Sequence, residues 1–464
     1  MDDNELNQEN KRYKPSKYNF FFDAEDGTHL AFNALSGGFA ELTDERISIV
    51  KDILSHKEIN YTNKIQKEVW DNLIRGGFIL ESDVNEIDLI KITNYIQRFN
   101  RSFDLSLTIL PTFKCNFRCA YCYEGVKKNK SMGIDVQTKL IKMIESGVGM
   151  LKNLHITWMG GEPLLGYKVI VTLSQKIQQI CEKGGIKYSA GIITNGYLLN
   201  NFIFRRLADD MAVNFFQITI DGPREIHDGR RPLSTGRGSF DRIINNLTKI
   251  AESKKDKKRI KIVVRVNIDK SNSDCADRLL DILAGMKLKD LLTIVPAPIE
   301  AVSSTCADIT DVCLSPTEFY RSIQLKFFKR LLESGFNFDI YPKLVGSNCI
   351  ADRINAYVIA PDGLLYKCWN DVGIIAESIG FITDDSKIVH NHNIVKWLAY
   401  DPFNIKECQE CKIFPLCGGG CAYKRLNSKG NLCVSWKYNI EEFLKLYYLS
   451  KKYRKEVIKY EVPT

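Results

Sequence analysis

Leu105-Ser-Leu-Thr-Ile-Leu110-Pro-Thr-Phe-Lys-Cys115-Asn-Phe-Arg-Cys119-Ala-Tyr-Cys122 is the stretch on which the chain turns. The run from Leu105 to Leu110 is apolar apart from Ser106 and Thr108 and is stopped by Pro111, so it reads as a strand closed by a breaker. Directly behind it, Cys115, Cys119 and Cys122 stand at CxxxCxxC spacing in one short loop. Soft thiolates select iron–sulfur clusters or zinc, and a structural zinc site closes on a fourth ligand. After Cys122 the next His is His155, inside a predicted strand, and the next Cys is Cys181. A zinc loop would therefore need a distant fourth ligand. Three thiolates can instead hold three irons of a cubane and leave the fourth iron open for chemistry.

The chain of 464 residues is long enough for two or three domains, and 44% hydrophobic with 26% charged residues suits a globular core. Fourteen cysteines are many for such a chain. The opening Met1-Asp-Asp-Asn-Glu5 offers no basic and apolar targeting segment, and no uncharged apolar run approaches the roughly 18 residues of a membrane span. A cytoplasmic protein is expected, without membrane partners, in which grouped cysteines are metal ligands rather than disulfides. The net charge of +9 is scattered, and the densest run, Lys254 to Arg259, falls between a predicted helix and a predicted strand. That is the pattern of a solvated loop, so no nucleic acid is expected; attraction for an acidic peptide stays open.

Residues 1–17 are polar and expected to be disordered. Between 18 and 100, strands at Tyr18 to Phe22 and His29 to Asn33 flank the hairpin signal Asp26-Gly27. A helix follows with apolar Ile47, Ile49, Val50, Ile53 and Leu54 behind Thr43 as N-cap. A second helix spans Ile65 to Leu73, and Gly76 to Leu80 reads as a turn and short strand, completing a winged-helix-like unit. From 101 to 335 strands and helices alternate. The strands are expected at Leu105 to Leu110, His155 to Trp158, Ala190 to Ile193, Phe215 to Ile220, Lys261 to Val266 and Leu292 to Val295. The intervening helices are expected at Val136 to Glu145, Val169 to Cys181, Ile203 to Asp209, Phe240 to Ala251, Cys275 to Ala284 and Pro316 to Leu332. The fold class is α/β. Residues 336–464 form a cysteine-rich region ending in a helix.

CxxxCxxC with an aromatic, Tyr121, before its last cysteine resembles the signature of the radical S-adenosylmethionine (SAM) superfamily. The resemblance implies a partial (βα)6 barrel, a 4Fe–4S cluster on Cys115, Cys119 and Cys122, and SAM chelated by the open iron. One electron then yields a 5′-deoxyadenosyl radical that takes hydrogen from a substrate. It also implies that the Gly160-Gly161-Glu162-Pro163 turn receives the amino group of SAM, with Glu162 opposite the ammonium. Thr194 and Asn195 end the third strand, Gln217 and Thr219 point along the fourth, and Arg265 at the fifth would pair with the SAM carboxylate. Asp221 to Phe240 is similar to a family loop over the radical site. The single His in it, His227, reads as structural or solvated.

The order Cys349-x13-Gly363-x4-Cys368, Cys408-x2-Cys411-x5-Cys417-x3-Cys421, Cys433 resembles the SPASM extension of peptide-modifying radical SAM enzymes. A zinc ribbon would use only Cys408, Cys411, Cys417 and Cys421. By resemblance, Cys349, Cys368 and Cys421 would bind a first auxiliary 4Fe–4S cluster and Cys408, Cys411, Cys417 and Cys433 a second, making three clusters in all. No cysteine lies between Ile350 and Lys367, so the first auxiliary cluster is expected to have an open iron able to take a substrate thiolate, or else water or Asp352. Cys181 and Cys275 read as core residues. Cys306 and Cys313, in the loop after the sixth strand, are either hydrogen-atom donors or inert thiols.

The front unit resembles the peptide-recognition element of maturases for ribosomally made peptides (RiPPs), which adds a leader as a strand; a plain cap on the barrel is the other reading. The expected partners are a precursor peptide with its leader and an external flavodoxin- or ferredoxin-type electron donor. The expected reaction is formation of thioether crosslinks, as in sactipeptides and ranthipeptides. Formylglycine formation by an anaerobic sulfatase-maturing enzyme is the near alternative. Against it, Cys368 is followed by Trp369 and Asn370 before Asp371, where those enzymes generally carry Asp directly. Carbon–carbon crosslinking, epimerisation and a metal-binding scaffold without turnover stay open.

Overall fold

The structure, a computed structural model, describes residues 11–61, 66–100, 103–124, 129–253, 260–302, 309–345, 349–428 and 432–460, with side chains up to 452. Cys306 and the Lys254 to Arg259 run lie outside the described residues, as do residues 1–10 and Ile65.

Tyr13–Pro15 (β1), expected within a disordered tail, is a strand paired antiparallel with Ile79–Glu81 (β5). Tyr13 is buried with its ring edge-on to Trp70, which supplies the burial that a polar stretch lacks on its own. Asn19–Asp23 (β2), His29–Asn33 (β3) and Phe39–Leu42 (β4) form a three-stranded antiparallel sheet, whose third strand the sequence reading did not foresee. The short final strand β5 pairs with β1 rather than folding back as a wing. Thr43 caps Asp44–Ser55 by accepting from Arg46 N, as expected, and Lys67–Arg75 follows. An unforeseen helix, Glu86–Phe99, is capped by Asn85.

Alternation decides which way this sheet faces. Phe21, Ala31, Ala40 and Leu42 pack on Val50, Val69 and Leu73 of the two helices. Phe20, Phe22, Phe32 and Phe39 face the other way, onto Phe403, Cys408, Ile413, Phe414 and Cys417. The front sheet is thus buried on both sides.

The central sheet runs Asp104–Ile109 (β6), Asn153–Trp158 (β7), Lys187–Thr194 (β8), Val213–Thr219 (β9), Lys261–Ile268 (β10) and Leu292–Pro298 (β11), each parallel to the next. Leu107, Ile156, Ile192, Phe216, Val264 and Ile294, each at most 1% exposed, lie under the helices. Each contributes roughly 1.5–3 kcal/mol through burial. Residues of the opposite parity, among them Thr108, Gln217, Thr219, Arg265 and Asn267, point to the inner face. The sheet does not stop at six strands. Ala356–Ile359 (β12), buried at every position, adds parallel to β6, and Leu364–Tyr366 (β13), Gly380–Ile382 (β14) and Ile388–His390 (β15) continue antiparallel to give ten strands. The cysteine-rich region is therefore continuous with the barrel sheet. Among the described residues no helix is long and apolar enough to cross a membrane.

Candidate functional site

The cysteine loop leaves β6 at the carboxyl ends of the strands, where α/β barrels carry their chemistry. Its backbone is laid against the segment after Asp221: Arg118 N donates to Pro232 O (2.9 Å), Ala120 N to Arg230 O (3.2 Å) and Ser234 N to Asn116 O (2.8 Å). Phe117, 2% exposed, anchors it in the core. Gly160 and Gly161 explain themselves here. A Cβ on Gly160, whose φ is +137°, would meet Thr112 O at 2.5 Å, and one on Gly161 would meet Lys114 O at 2.4 Å. The glycines are needed for close approach to the cysteine loop itself.

Glu162 is fully buried, and its carboxylate already accepts from Leu164 N (3.0 Å), Thr194 Oγ1 (2.7 Å) and Asn195 N (2.8 Å). Burial pushes its pKa up, and these three donors oppose that. Of about four lone-pair directions, one is left. Pro163 is buried at the start of the short turn that follows. Asn195 Nδ2 donates to Asn116 Oδ1 (2.8 Å), so the end of β8 also braces the cysteine loop.

Tyr121 stands over a charge network that sequence reasoning did not single out. Its hydroxyl donates to Asp221 Oδ2 and accepts from Arg231 Nη1 (2.7 Å) and Asn267 Nδ2 (3.2 Å). Arg230 Nη1 donates to Asp269 Oδ2 (2.7 Å), and its Nε lies 3.4 Å from Asp221 Oδ2. Burial works against the Arg231 charge, but Cys119, Tyr121 and Asp221 around it hold it firmly protonated. Only the pair Arg230-Arg231 in a loop could have signalled this, and a charge pair in a loop usually means solvent. His227 is structural, as expected: it is fully buried, its Nδ1 accepts from Asp221 N (3.3 Å) and its Nε2 meets Ser239 Oγ (3.1 Å). Burial, with Arg231 and Arg230 nearby, holds it well below the usual imidazole range.

Arg265 lies on the inner face in register with Thr219. Its Nε donates to Asn267 Oδ1 (2.8 Å), and its two Nη groups carry no hydrogen bond or ion pair among the described residues. Burial disfavours its charge, which Tyr121, Asp221, Tyr123 and Glu300 offset. A half-buried cationic fork with free donors fits a carboxylate ligand. Gln217 lies half-buried on the same face, in register with Ile193 and Val263.

Downstream, two cysteine groups form. Burial raises Cys349 and Cys368; Asp352 and Cys421 add to it at Cys349, and Asp371, Cys349 and Cys421 add to it at Cys368. Burial also raises Cys408, where Arg425 opposes it and Cys411 and Cys433 add to it; Cys417 is pushed up to about 11 by burial, with Cys408 and Cys433 beside it. Arg425 Nη2 donates to Cys408 Sγ (3.5 Å) and Lys437 Nζ to Cys411 Sγ (3.3 Å). Asp352, 5% exposed, lies beside Cys349 with its Oδ2 3.9 Å from Arg98 Nε. None of the thirteen described cysteines is in a disulfide. Nor do three His, Cys, Asp or Glu side chains among the described residues converge tightly enough for a single metal ion. A zinc site needs sulfurs about 3.8 Å apart, whereas a cubane takes one thiolate per iron and spreads them. Sets made up of thiolates alone have the donor chemistry of iron–sulfur clusters. Cys181 is core; Cys275, expected in a helix, lies in the turn before Arg278–Gly285, where its Sγ reaches Asn272 O (3.6 Å). Cys313 donates to Ile309 O.

Tyr123 joins the regions. It lies half-buried, and burial together with Glu124, Cys122 and Cys368 pushes its phenol well above the usual range. It is thus in electrostatic contact with the barrel loop on one side and the first downstream group on the other.

A parallel α/β barrel sheet with three cysteines at the mouth of its first strand defines a radical SAM enzyme, and the Radical SAM superfamily description matches residues 109–282. That stretch is a Radical SAM domain, and the superfamily implies SAM and a 4Fe–4S cluster. Among the chain's relatives is the cysteine-type anaerobic sulfatase-maturating enzyme of Clostridium novyi, 27% identical over 75% of this chain and 97% of that protein. The serine-type enzyme of Klebsiella aerogenes is 23% identical over 68% of this chain and 79% of that one. Among solved structures, anSMEcpe with bound AdoMet has the same fold at TM-score 0.56 and 17% identity, covering 76% of this chain and 98% of its own. Streptococcus suis SuiB bound to the precursor peptide SuiA has TM-score 0.51 and 14% identity, covering 89% of this chain and 97% of its own.

Proposed function

We propose that the chain is a maturase that modifies a peptide, with SAM bound at Cys115, Cys119 and Cys122 and two auxiliary 4Fe–4S clusters, one on Cys349, Cys368 and Cys421 and one on Cys408, Cys411, Cys417 and Cys433. The observation that carries this reading is Tyr123, whose phenol is under the charge influence of Cys122 and Cys368 at once, which supports a first downstream group near the barrel mouth. When bound, SAM and its cluster supply a 5′-deoxyadenosyl radical that takes a hydrogen atom from the substrate. Arg265 receives the SAM carboxylate on its free fork. The Gly160 to Pro163 turn and the last lone pair of Glu162 face the amino group. Thr194 and Asn195 fix that turn, Gln217 lines the inner face, and Tyr121, locked by Asp221 and Arg231, offers its ring. The reducing electron comes from an external donor of flavodoxin or ferredoxin type.

The finer reading is thioether formation. Cys349, Cys368 and Cys421 leave one metal corner for a substrate thiol unless Asp352 fills it. A bond from that sulfur to a carbon that has lost a hydrogen atom releases one electron, for which the auxiliary clusters are the acceptor, and the thiol proton leaves to solvent. The front unit supports a peptide substrate. Strand β4 pairs only with β3 among the described residues, beside an apolar cleft lined by Phe21, Ala31, Ala40, Leu42, Val50 and Leu73. A leader peptide would add there as a strand. The SuiB likeness spans 89% of the chain against 76% for anSMEcpe, which favours an enzyme with such a front unit. Formylglycine formation is the second reading, favoured by the Clostridium novyi relative.

Anaerobically reconstituted protein with dithionite, SAM and a Cys-containing peptide encoded beside it separates them. Release of 5′-deoxyadenosine, absent in Cys115→Ala, is expected. A product short of two hydrogens and resistant to thiol alkylation is a thioether; the same loss with a free thiol is a carbon–carbon crosslink. Replacement of sulfur by oxygen together with loss of two hydrogens is formylglycine, and unchanged mass with inverted stereochemistry is epimerisation. No 5′-deoxyadenosine would leave only the scaffold.

A further inference from the structure

Tyr18 is fully buried, yet its hydroxyl has no hydrogen-bond partner among the described residues. A buried hydroxyl left unmade is costly, so a native phenol of this kind calls for an acceptor. Its neighbours in sequence show what it faces. Lys17 Nζ donates to Gln409 O, and Lys412 Nζ donates to Asn19 O (3.2 Å), so the residues on either side of Tyr18 grip the residues on either side of Cys411. Tyr18 shares one buried cluster with Cys408 and Cys417, and Cys411 packs against it. The nearest carboxylate, Glu86, already accepts from Ser16 Oγ (2.5 Å) and Lys17 N (3.1 Å).

We propose that Tyr18, carried by the front unit, donates a hydrogen bond to the cluster held by Cys408, Cys411, Cys417 and Cys433, to a cysteine or a bridging sulfur, and raises its reduction potential. This rests on the proposed cluster assignment. The reduced cluster carries one more negative charge than the oxidised one, so a donor aimed at sulfur stabilises the reduced form. Two cations already act there, Arg425 on Cys408 and Lys437 on Cys411, and both belong to the cysteine-rich region. Tyr18 would make the front unit, with its peptide-binding cleft, part of the redox site as well.

Full-length Tyr18→Phe, which removes one oxygen and keeps the ring, is the test. Iron content, EPR-monitored redox titration and deuteron hyperfine coupling after exchange into D2O are compared with wild type and with Cys417→Ala. Loss of about four of roughly a dozen irons in Cys417→Ala establishes the cluster; unchanged iron there overturns the assignment and this proposal with it. With the cluster established, the proposal expects Tyr18→Phe to keep its iron, lose one exchangeable-deuteron coupling, and move one auxiliary midpoint negative by about 59 mV, tenfold for one electron. Full iron with unmoved midpoint and unchanged coupling overturns it.

Discussion

Cys349, Cys368 and Cys421 sit beside the buried carboxylates of Asp352 and Asp371, whereas Cys408 and Cys411 accept hydrogen bonds from Arg425 and Lys437. The first group adjoins the barrel mouth through Tyr123; the second is roofed by the front sheet through Tyr18 and Phe32. Negative surroundings lower the potential of a cluster, and cations or hydrogen bonds on its sulfurs raise it. Under the proposed assignment, electrons taken from substrate near the first group run downhill to the second. On that assignment, position and charge would divide the labour, the first group meeting substrate and the second storing the electron away from it.

The largest effects come from breaking either side outright. Cys368→Ala and Cys417→Ala should each lose about four irons while still releasing 5′-deoxyadenosine, and both should give no modified peptide. They should differ in peptide binding: with a Cys-containing peptide, the EPR spectrum of Cys417→Ala should still respond and that of Cys368→Ala should not. The same response in both would erase the division. Next in size is the roof. Phe32 is fully buried, its ring edge-on to Tyr341 at 6.1 Å. Phe32→Ala should cost about 3–5 kcal/mol in denaturant unfolding of the front unit, and should disturb the spectrum of the second auxiliary cluster alone. A matching change in the first would mean the two are not separately housed.

A smaller and sharper effect concerns sign. Lys437→Met should move the second midpoint negative and Asp371→Asn should move the first positive, each by up to about 59 mV, a tenfold step for one electron. Equal shifts of both auxiliary midpoints in each variant would show that global charge, rather than local surroundings, sets the potentials.

The barrel was legible because its physics is local. Strand β10 begins at Lys261 as expected and runs on to Ile268, since Val and Ile alternation needs no distant partner to be seen. The grouping of the downstream cysteines, by contrast, came from the SPASM resemblance rather than from any local pattern. What stayed hidden depends on pairs far apart in sequence. Ala356–Ile359 is four buried residues with no alternation, and pairing with β6 on one side and β13 on the other makes it a strand. Gly160 and Gly161 were assigned to SAM, yet their tightness comes from Thr112 and Lys114. Tyr121 stood out in the sequence only as the aromatic of the cofactor-binding cysteine motif, and its hydroxyl turns out to be committed to Asp221 one hundred residues on. Tyr18 looked like the start of a hairpin strand, and nothing in its neighbourhood of sequence points to Cys411.

The smallest effect tests whether the roof itself is held by charge. His29 on β3 reaches Asp23 Oδ1 through Nδ1 (2.6 Å) and Asp44 Oδ1 through Nε2 (3.0 Å), tying the hairpin to the first helix. Its hydrogen bond to Asp23 above all, then the Asp23 and Asp44 charges, raises its pKa, while the His29 hydrogen bond lowers that of Asp23. For a raised His, the stabilisation is complete below its unfolded value of about 6.5 and is lost as pH rises through the folded one. For a depressed Asp, it is present above the unfolded value of about 3.9 and is lost as pH falls through the folded one. The clasp is therefore strongest in between and fails at both ends. These side chains face solvent, so salt should weaken the effect. The difference in melting temperature between wild type and His29→Gln should shrink on raising pH above neutrality, and a His29 proton titration by NMR should place its midpoint above the ordinary value. A midpoint at or below it would mean that the clasp adds nothing to the joint between the hairpin and the first helix.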